Sequence, residues 1–302
     1  MKGFSKHIFH DLQSFEFHLR GSKGRLGREI LDALVTSIPN AVCTESTRFG
    51  GSYASLTSPD SNLGRVFILA SGKATSSSSQ LECDNDYSQF QQTLRALEGA
   101  FTKTGINCLV YISSGGSVYG SGQEIKLESS VPNPANSYAF HKLRQEKDVT
   151  DLAITYGAKL LIIRLANAFL ASPKEPKGLV DSLLSVEPGT SQLVLYVNPE
   201  SRKQYGLFGD YAQELLRSLS EFLSDGSSMR VQNIFSSNSY SVREIIEIVS
   251  NARSINIQDL CIFDEYSSNL PNDSVILGTK YNQGTSQHNW KTIEEAIYPR
   301  KT

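Results

Sequence analysis

Two hydrophobic rhythms alternate along the first half of the chain. Apolar runs at residues 15–19, 40–45, 65–74, 106–112 and 159–167 have strand length, and the later ones are apolar enough to be buried on both faces. Between them the period changes. Leu26, Ile30, Leu31 and Leu34 recur at helical spacing, and so do Phe90, Leu94, Leu97 and Phe101, in a segment closed by Gly105. The serine run at 75–79 separates the third strand from the second helix as loop. Helices are predicted over 86–103 and 136–156. Strand and helix in alternation predict βαβ units and therefore an α/β fold with a doubly wound parallel sheet.

The punctuation between these elements carries the candidate chemistry. Gly21, Gly24 and Gly27 stand three apart between the first strand and the first helix. Such a turn lets the backbone approach a pyrophosphate, and the helix N-terminus adds unpaired N–H groups and partial positive charge. Glu45 ends the second strand close to the ~20-residue spacing at which an acid binds the adenosine ribose. The alternative is a solvated strand-end carboxylate. A second cluster follows the fourth strand, where residues 113–120 read SSGGSVYG and Tyr138 and Lys142 stand four apart in a helical pattern. On a helix these two share one face, so an ammonium would stabilise the phenolate and let the pair exchange a proton with a substrate hydroxyl or carbonyl. A serine hydroxyl from the strand end would hold the same oxygen. By itself the Tyr–Lys spacing also arises by chance.

Composition removes other classes. The 302 residues carry 29 basic and 31 acidic side chains, a net charge of −2, which offers no basic face for nucleic acid or a membrane surface. Cys43, Cys83, Cys108 and Cys261 are scattered without a CxxC pair, as expected of reduced thiols packed in a cytoplasmic protein, and no metal site is expected. No stretch approaches the ~18 apolar residues of a membrane span. Ser241 with Glu244, and less fully Asp210 with Gln213, have the spacing of helix capping boxes.

Taken together, GSKGRLG (21–27), SSGGSVYG, NSYAFHK (136–142) and IIRLAN (162–167) resemble, in order and spacing, the extended short-chain dehydrogenase/reductase family, the NAD-dependent epimerase/dehydratase group acting on nucleotide sugars. The resemblance implies a Rossmann-like dinucleotide-binding domain over 1–166 and a smaller substrate-binding domain over 167–302, with a segment near 229–249 returning to the sheet. It implies NAD or NADP held by Gly21, Gly24, Arg25, Leu26 and Gly27 of the turn, by Glu45, Arg48, Ala70 and Gln89, and by Lys142. NAD is favoured, since Glu45 would repel a 2′-phosphate, whereas Arg48, Lys23 and Arg25 would attract one. Tyr138 and Lys142 become catalytic. The serine that relatives use falls at Gly115, so the hydroxyl is expected from Ser117, two positions along an extended strand, or else from Ser114.

On the substrate side the resemblance implies Asn167 near the nucleotide diphosphate, with Arg202 and Lys203 as candidate phosphate ligands. His141, Trp290 and His288 receive no role. Relatives that act as dehydratases carry an Asp-Glu pair where this chain has Gly116 and Ser117, which leaves a 4-keto-6-deoxy nucleotide-sugar reductase, or a 4-epimerase, in a cytoplasmic homodimer. The stretch after Glu45 lacks the family's Asp-Leu pair near the adenine, and a loosely held cofactor suits a reductase. The Gly at the serine position keeps a third expectation open, a cofactor-binding regulatory protein without turnover.

Overall fold

The computed structural model of the chain describes residues 10–38, 42–46, 63–104, 108–122, 124–171, 176–187, 189, 192–281 and 290–298. A short 3₁₀ turn, His10–Ser14, leads into β1 (Phe15–Arg20), α1 (Arg25–Ser37), β2 (Val42–Ser46), β3 (Gly64–Leu69), α2 (Gln80–Thr104), β4 (Cys108–Ser114), α3 (Gly115–Val118) and β5 (Ile125–Lys126). The chain continues through α4 (Ser137–Tyr156), β6 (Lys159–Leu165), β7 (Asn167–Phe169), α5 (Leu179–Ser185), β8 (Leu193–Leu195), β9 (Arg202–Leu207), α6 (Phe208–Ser224) and β10 (Met229–Ile234). It ends with β11 (Ser239–Ser241), α7 (Val242–Arg253), α8 (Ile257–Leu260), β12 (Cys261–Phe263), β13 (Ile276–Leu277) and α9 (Ile293–Ile297).

Six parallel strands form the central sheet in the order β2-β1-β3-β4-β6-β10. Side chains alternate across it, as the period of two demands. Cys108, Val110 and Ile112 of β4 face a layer built on α1 and α6, with Ile30, Leu34, Leu215 and Leu219 in the same core. Leu109 and Tyr111 face α2 and α4, where Phe90, Leu94, Leu97, Val149 and Leu152 pack. Strand order reverses between β1 and β3, so the crevice beyond the carboxyl ends of these strands lies at a topological switch point, where ligands of doubly wound sheets bind. A second core, independent of the sheet, joins Phe169, Val180 and Leu183 to Tyr240, Ile245, Val249, Leu260 and Ile293. Among the described residues no helix is long and apolar enough to cross a membrane.

The strand expected over 65–74 ends at Leu69, and the helix expected from 86 begins at Gln80, where the side chain of Glu82 returns to the Ser79 N–H at 2.7 Å. The capping box of Ser241 and Glu244 forms. That of Asp210 does not, because α6 starts at Phe208 with Leu207 at the N-cap, which places Asp210 inside the first turn. Cys83, Cys108 and Cys261 are buried free thiols.

Helix α4 is fixed in register by an ion pair beneath the sheet edge. Arg164 of β6 donates to both oxygens of Glu146, at 3.0 and 2.7 Å, and Ser113 of β4 donates to the same carboxylate at 2.5 Å. Both charged side chains are less than a tenth exposed. Removing one member strands the other's charge in a dry site. Arg164→Met is expected to cost about 3–5 kcal/mol. The check is a lower urea midpoint at unchanged slope, with the double variant Arg164→Met/Glu146→Gln recovering part of the loss.

Candidate active site

The glycine turn is built by close approach. Gly21 has φ +100°, and a Cβ there would stand 2.6 Å from the Ala70 carbonyl oxygen; a Cβ on Gly27 would stand 2.0 Å from the Gly21 oxygen. Only glycine fits either position. Gly24 N–H donates to Gly21 O at 2.8 Å, and Ala70 N–H to Arg20 O at 2.9 Å, so β1, the turn and the end of β3 meet at the switch point. Inside the turn Ser22 is buried, and its hydroxyl has no partner among the described residues. A backbone cradle with an unsatisfied hydroxyl at a helix N-terminus fits a dinucleotide pyrophosphate. Leu26 packs from α1 against the core. Glu45 lies in β2 opposite Leu19, and its side chain is outside the described residues, as are Arg48 and His288.

Arg25, the first residue of α1, does not offer its charge freely to a 2′-phosphate. Its Nη1 donates to Asp181 Oδ2 at 2.5 Å and to the Lys177 carbonyl at 3.1 Å, and its guanidinium lies 5.1 Å over the Phe208 ring. The positive charge expected to favour NADP is therefore largely compensated. Lys23 is exposed.

Across the crevice, Tyr138 occupies the first turn of α4. Asn136 caps that helix by accepting from Ala139 N–H at 2.8 Å. Lys142, one turn on, is 8% exposed and donates to the Tyr111 hydroxyl at 3.2 Å and the Ile112 carbonyl at 3.1 Å. Its ammonium lies 5.9 Å from the centre of the Tyr138 ring. Burial lowers the Lys142 ammonium to about 8 against the pull of Asp86 and Glu146. Burial likewise pushes the Tyr138 phenol up to about 12, and a hydrogen bond with the Ser114 side chain works in the other direction.

That contact favours Ser114 of the two serines. Residues 115–118 form a helical turn instead of an extended strand, which removes the reason for expecting Ser117 to face as residue 115 does. Ser114, at the end of β4, is the hydroxyl brought to Tyr138, and Ser117 lies on α3. Gly115 itself is packed shut. A Cβ there would meet Leu277 Cδ1 at 2.5 Å, and Leu277 is pinned through both its N–H and its carbonyl by Gln204.

Three further residues can be placed. Gln89 sits half-buried on α2, and one turn earlier on that helix Asp86 acts electrostatically on both Tyr138 and Lys142. Asp86 also accepts from Lys73 N–H at 2.6 Å, tying the loop after β3 to α2. Its only trace in the sequence is a carboxylate one turn before Gln89 on the predicted helix. His141 is buried against α2, 2.9 Å from Asp84 and stacked on Tyr87 at 5.3 Å, so it joins the two helices. Trp290 packs edge-on to Tyr211 at 5.5 Å.

On the substrate side Asn167 begins β7 beside Gly116, whose added Cβ would lie 3.4 Å from Asn167 Oδ1. Arg202 and Lys203 are on β9, and both are occupied. Arg202 pairs with Glu244 and Lys203 with Asp273, each at 2.5 Å. An anionic substrate reaching either must displace a carboxylate.

A glycine cradle at the switch point of a parallel sheet, facing a helix-borne Tyr–Lys pair with a strand-end serine, defines a short-chain dehydrogenase/reductase type of protein. The chain belongs to the NAD dependent epimerase/dehydratase family, whose profile it matches over residues 58–233. It is 26% identical over 171 residues to the GDP-6-deoxy-D-mannose reductase of Pseudomonas aeruginosa, a match spanning 55% of each chain. The match thus takes in about half the length of that curated relative. Among solved structures it is similar in fold to a Thermotoga maritima UDP-glucose 4-epimerase with UDP-glucose (TM-score 0.72, 17% identity, 93% of this chain and 96% of that one). It is also similar to a Bacillus anthracis dTDP-glucose 4,6-dehydratase in complex with NAD (TM-score 0.71, 14% identity, 94% and 95%).

The electrostatics give a pH prediction. Lys142 faces Tyr111 from β4, Tyr138 and Glu146 from its own helix and Asp86 from α2. It is protonated below about 8 and loses its charge above, so support for a phenolate at Tyr138 falls as pH rises through that value. Asp86→Asn keeps the acceptor for Lys73 N–H but removes the charge that favours the ammonium. The alkaline limb of the pH–rate profile should move to lower pH in this variant; an unmoved limb would detach Asp86 from the pair.

Proposed function

We propose that the protein is an NAD(P)-dependent oxidoreductase of nucleotide sugars, with NAD favoured, and that its reaction is reduction of a 4-keto-6-deoxy nucleotide sugar. The observation that carries the oxidoreductase reading is the convergence of Ser114, Tyr138 and Lys142 beside the glycine cradle. A bound nicotinamide supplies the hydride. Ser114 holds the carbonyl oxygen, Tyr138 donates its phenolic proton to that oxygen as the alkoxide develops, and Lys142 stabilises the phenolate left behind. The compensated charge of Arg25 supports NAD over NADP. The sugar class is supported by the names of the relatives, and the reductase by the curated one.

A 4-epimerase uses the same residues, and one observation favours it. Asp181, beyond the crevice, ties down the first residue of the cofactor helix, which suits a dinucleotide kept between turnovers. The argument for a loosely held adenine rests on residues 47–62, outside the described residues. A reading without turnover has support only from the closed position at Gly115.

Two measurements test the proposal. Purified protein is assayed with 4-keto-6-deoxy and 4-hydroxy nucleotide sugars while nicotinamide absorbance is followed, and any nucleotide retained through purification is identified by mass. Stoichiometric consumption of added NADH is expected; retained NAD with interconversion needing no added cofactor would establish the epimerase instead. Tyr138→Phe should lower turnover at least ~10²-fold with fold and cofactor affinity kept, and near-normal turnover would remove Tyr138 from the chemistry.

A homodimer through α2 and α4 remains our expectation for assembly, since Leu81, Phe140 and Ile154 on these helices are exposed. Light scattering at micromolar concentration should give twice the chain mass, and a monomer mass would refute it.

A further inference from the structure

Asp181 is an unusual carboxylate. It belongs to α5, in the second core between Val180 and Leu183, and its side chain is completely enclosed. Burial raises its pKa, and three groups act in the opposite direction: Leu170 N–H at 2.9 Å, the Arg25 guanidinium at 2.5 Å and Lys177 N–H at 3.4 Å. The two N–H groups lie within the second core's own segment. The guanidinium comes from the other side of the crevice, from the residue that follows Gly24 of the cradle. Arg25 is the cation in this set, and a buried carboxylate that loses its cation is strongly destabilised. The same Nη1 also donates to the Lys177 carbonyl, so the contact joins the first turn of α1 to the segment 177–181.

We infer that the Arg25–Asp181 pair is a clasp that closes the second core over the phosphate end of the cofactor cleft and sets how fast a dinucleotide leaves. This rests on the dinucleotide reading given above. The segment 177–181 reaches the first turn of α1, and the N–H groups of that turn are the ones aimed at a pyrophosphate. A dinucleotide seated there departs only when the segment swings away. That motion separates the guanidinium from a carboxylate enclosed in apolar surroundings, so opening is slow and couples release to domain movement. Arg25 is thereby a positioning residue for cofactor residence, acting through Asp181. In a reductase the clasp makes cofactor release a slow step of the cycle; in an epimerase it keeps the cofactor in place.

The test is a chase experiment on the full chain. Protein loaded with NADH is mixed with excess NAD and the decay of bound nicotinamide fluorescence gives the release rate, for the wild type, Arg25→Met, Asp181→Asn and the double variant. Each single change should speed release about tenfold, the scale of a charge-assisted hydrogen bond. The double variant should be little faster than either single one, because both remove the same contact. If Asp181→Asn does not fold, Arg25→Lys takes its place: it keeps the charge, loses the reach and fixed plane of the guanidinium whose Nη1 bonds both Asp181 and the Lys177 carbonyl, and should still speed release. Variants with lower unfolding midpoints but wild-type release rates would overturn the clasp and leave a purely structural ion pair. A wild type that binds neither NADH nor NADPH would overturn the proposed function and the clasp with it, which distinguishes the two failures.

Discussion

The carboxylate of Glu146 organises the site without taking part in it. Tyr138, Lys142 and Glu146 follow at intervals of four on α4, so they share one face of the helix. The last of them is bolted to β6 by Arg164 and to β4 by Ser113. With that end of the stripe immobile, the helix cannot roll or slide on the sheet, and Lys142 meets the Ile112 carbonyl while Tyr138 meets Ser114. The arrangement has a cost, since burying an ion pair yields little net stability. What it yields is register.

The same network extends to the far end of the chain. The Arg164 guanidinium lies 4.9 Å from the centre of the Tyr119 ring, the Tyr119 hydroxyl bonds Asn233 at 2.8 Å, and the Asn233 amide holds the carbonyls of Lys126 and Gly278. The strand β13 is thereby laid along β5, and Leu277 comes down over Gly115. Glycine at that position is a packing requirement, with the strap filling the volume that a side chain would take. In the proposed reaction the hydroxyl then comes from Ser114, a neighbour on the strand.

The legible parts of the molecule were those governed by local period. The glycine spacing at 21, 24 and 27, the 3.6-residue rhythm of Phe90 to Phe101 and the four-residue step from Tyr138 to Lys142 each depend on chain geometry over a few residues, and each appears in the structure. Ser117 failed for an equally local reason, because the extended period was carried one residue past the point where Gly115 turns the chain into α3. The partnerships of Arg25, Lys203 and Gly115 were not readable. Asp181 is 156 residues from Arg25 and Asp273 is 70 from Lys203, and no rhythm along the chain reports which acid will arrive at which base. A basic residue looked available for a phosphate wherever its compensating acid lay in another element.

These distant pairings change what the basic residues do. Arg25, Arg202 and Lys203 would, if solvated, each offer an uncompensated positive charge to an anion. Paired with Asp181, Glu244 and Asp273, each has its charge compensated. The anion-binding potential is then concentrated in the backbone of the glycine turn and the N-terminus of α1, which recognise a pyrophosphate by shape and N–H direction in addition to charge. Under the proposed function, a nucleotide diphosphate that reaches Lys203 or Arg202 competes with Asp273 or Glu244 for its cation. Such competition discriminates, because only a ligand that fills its site well enough to offset the displaced ion pair is retained. In that reading the acids contribute to selectivity as much as the bases they hold.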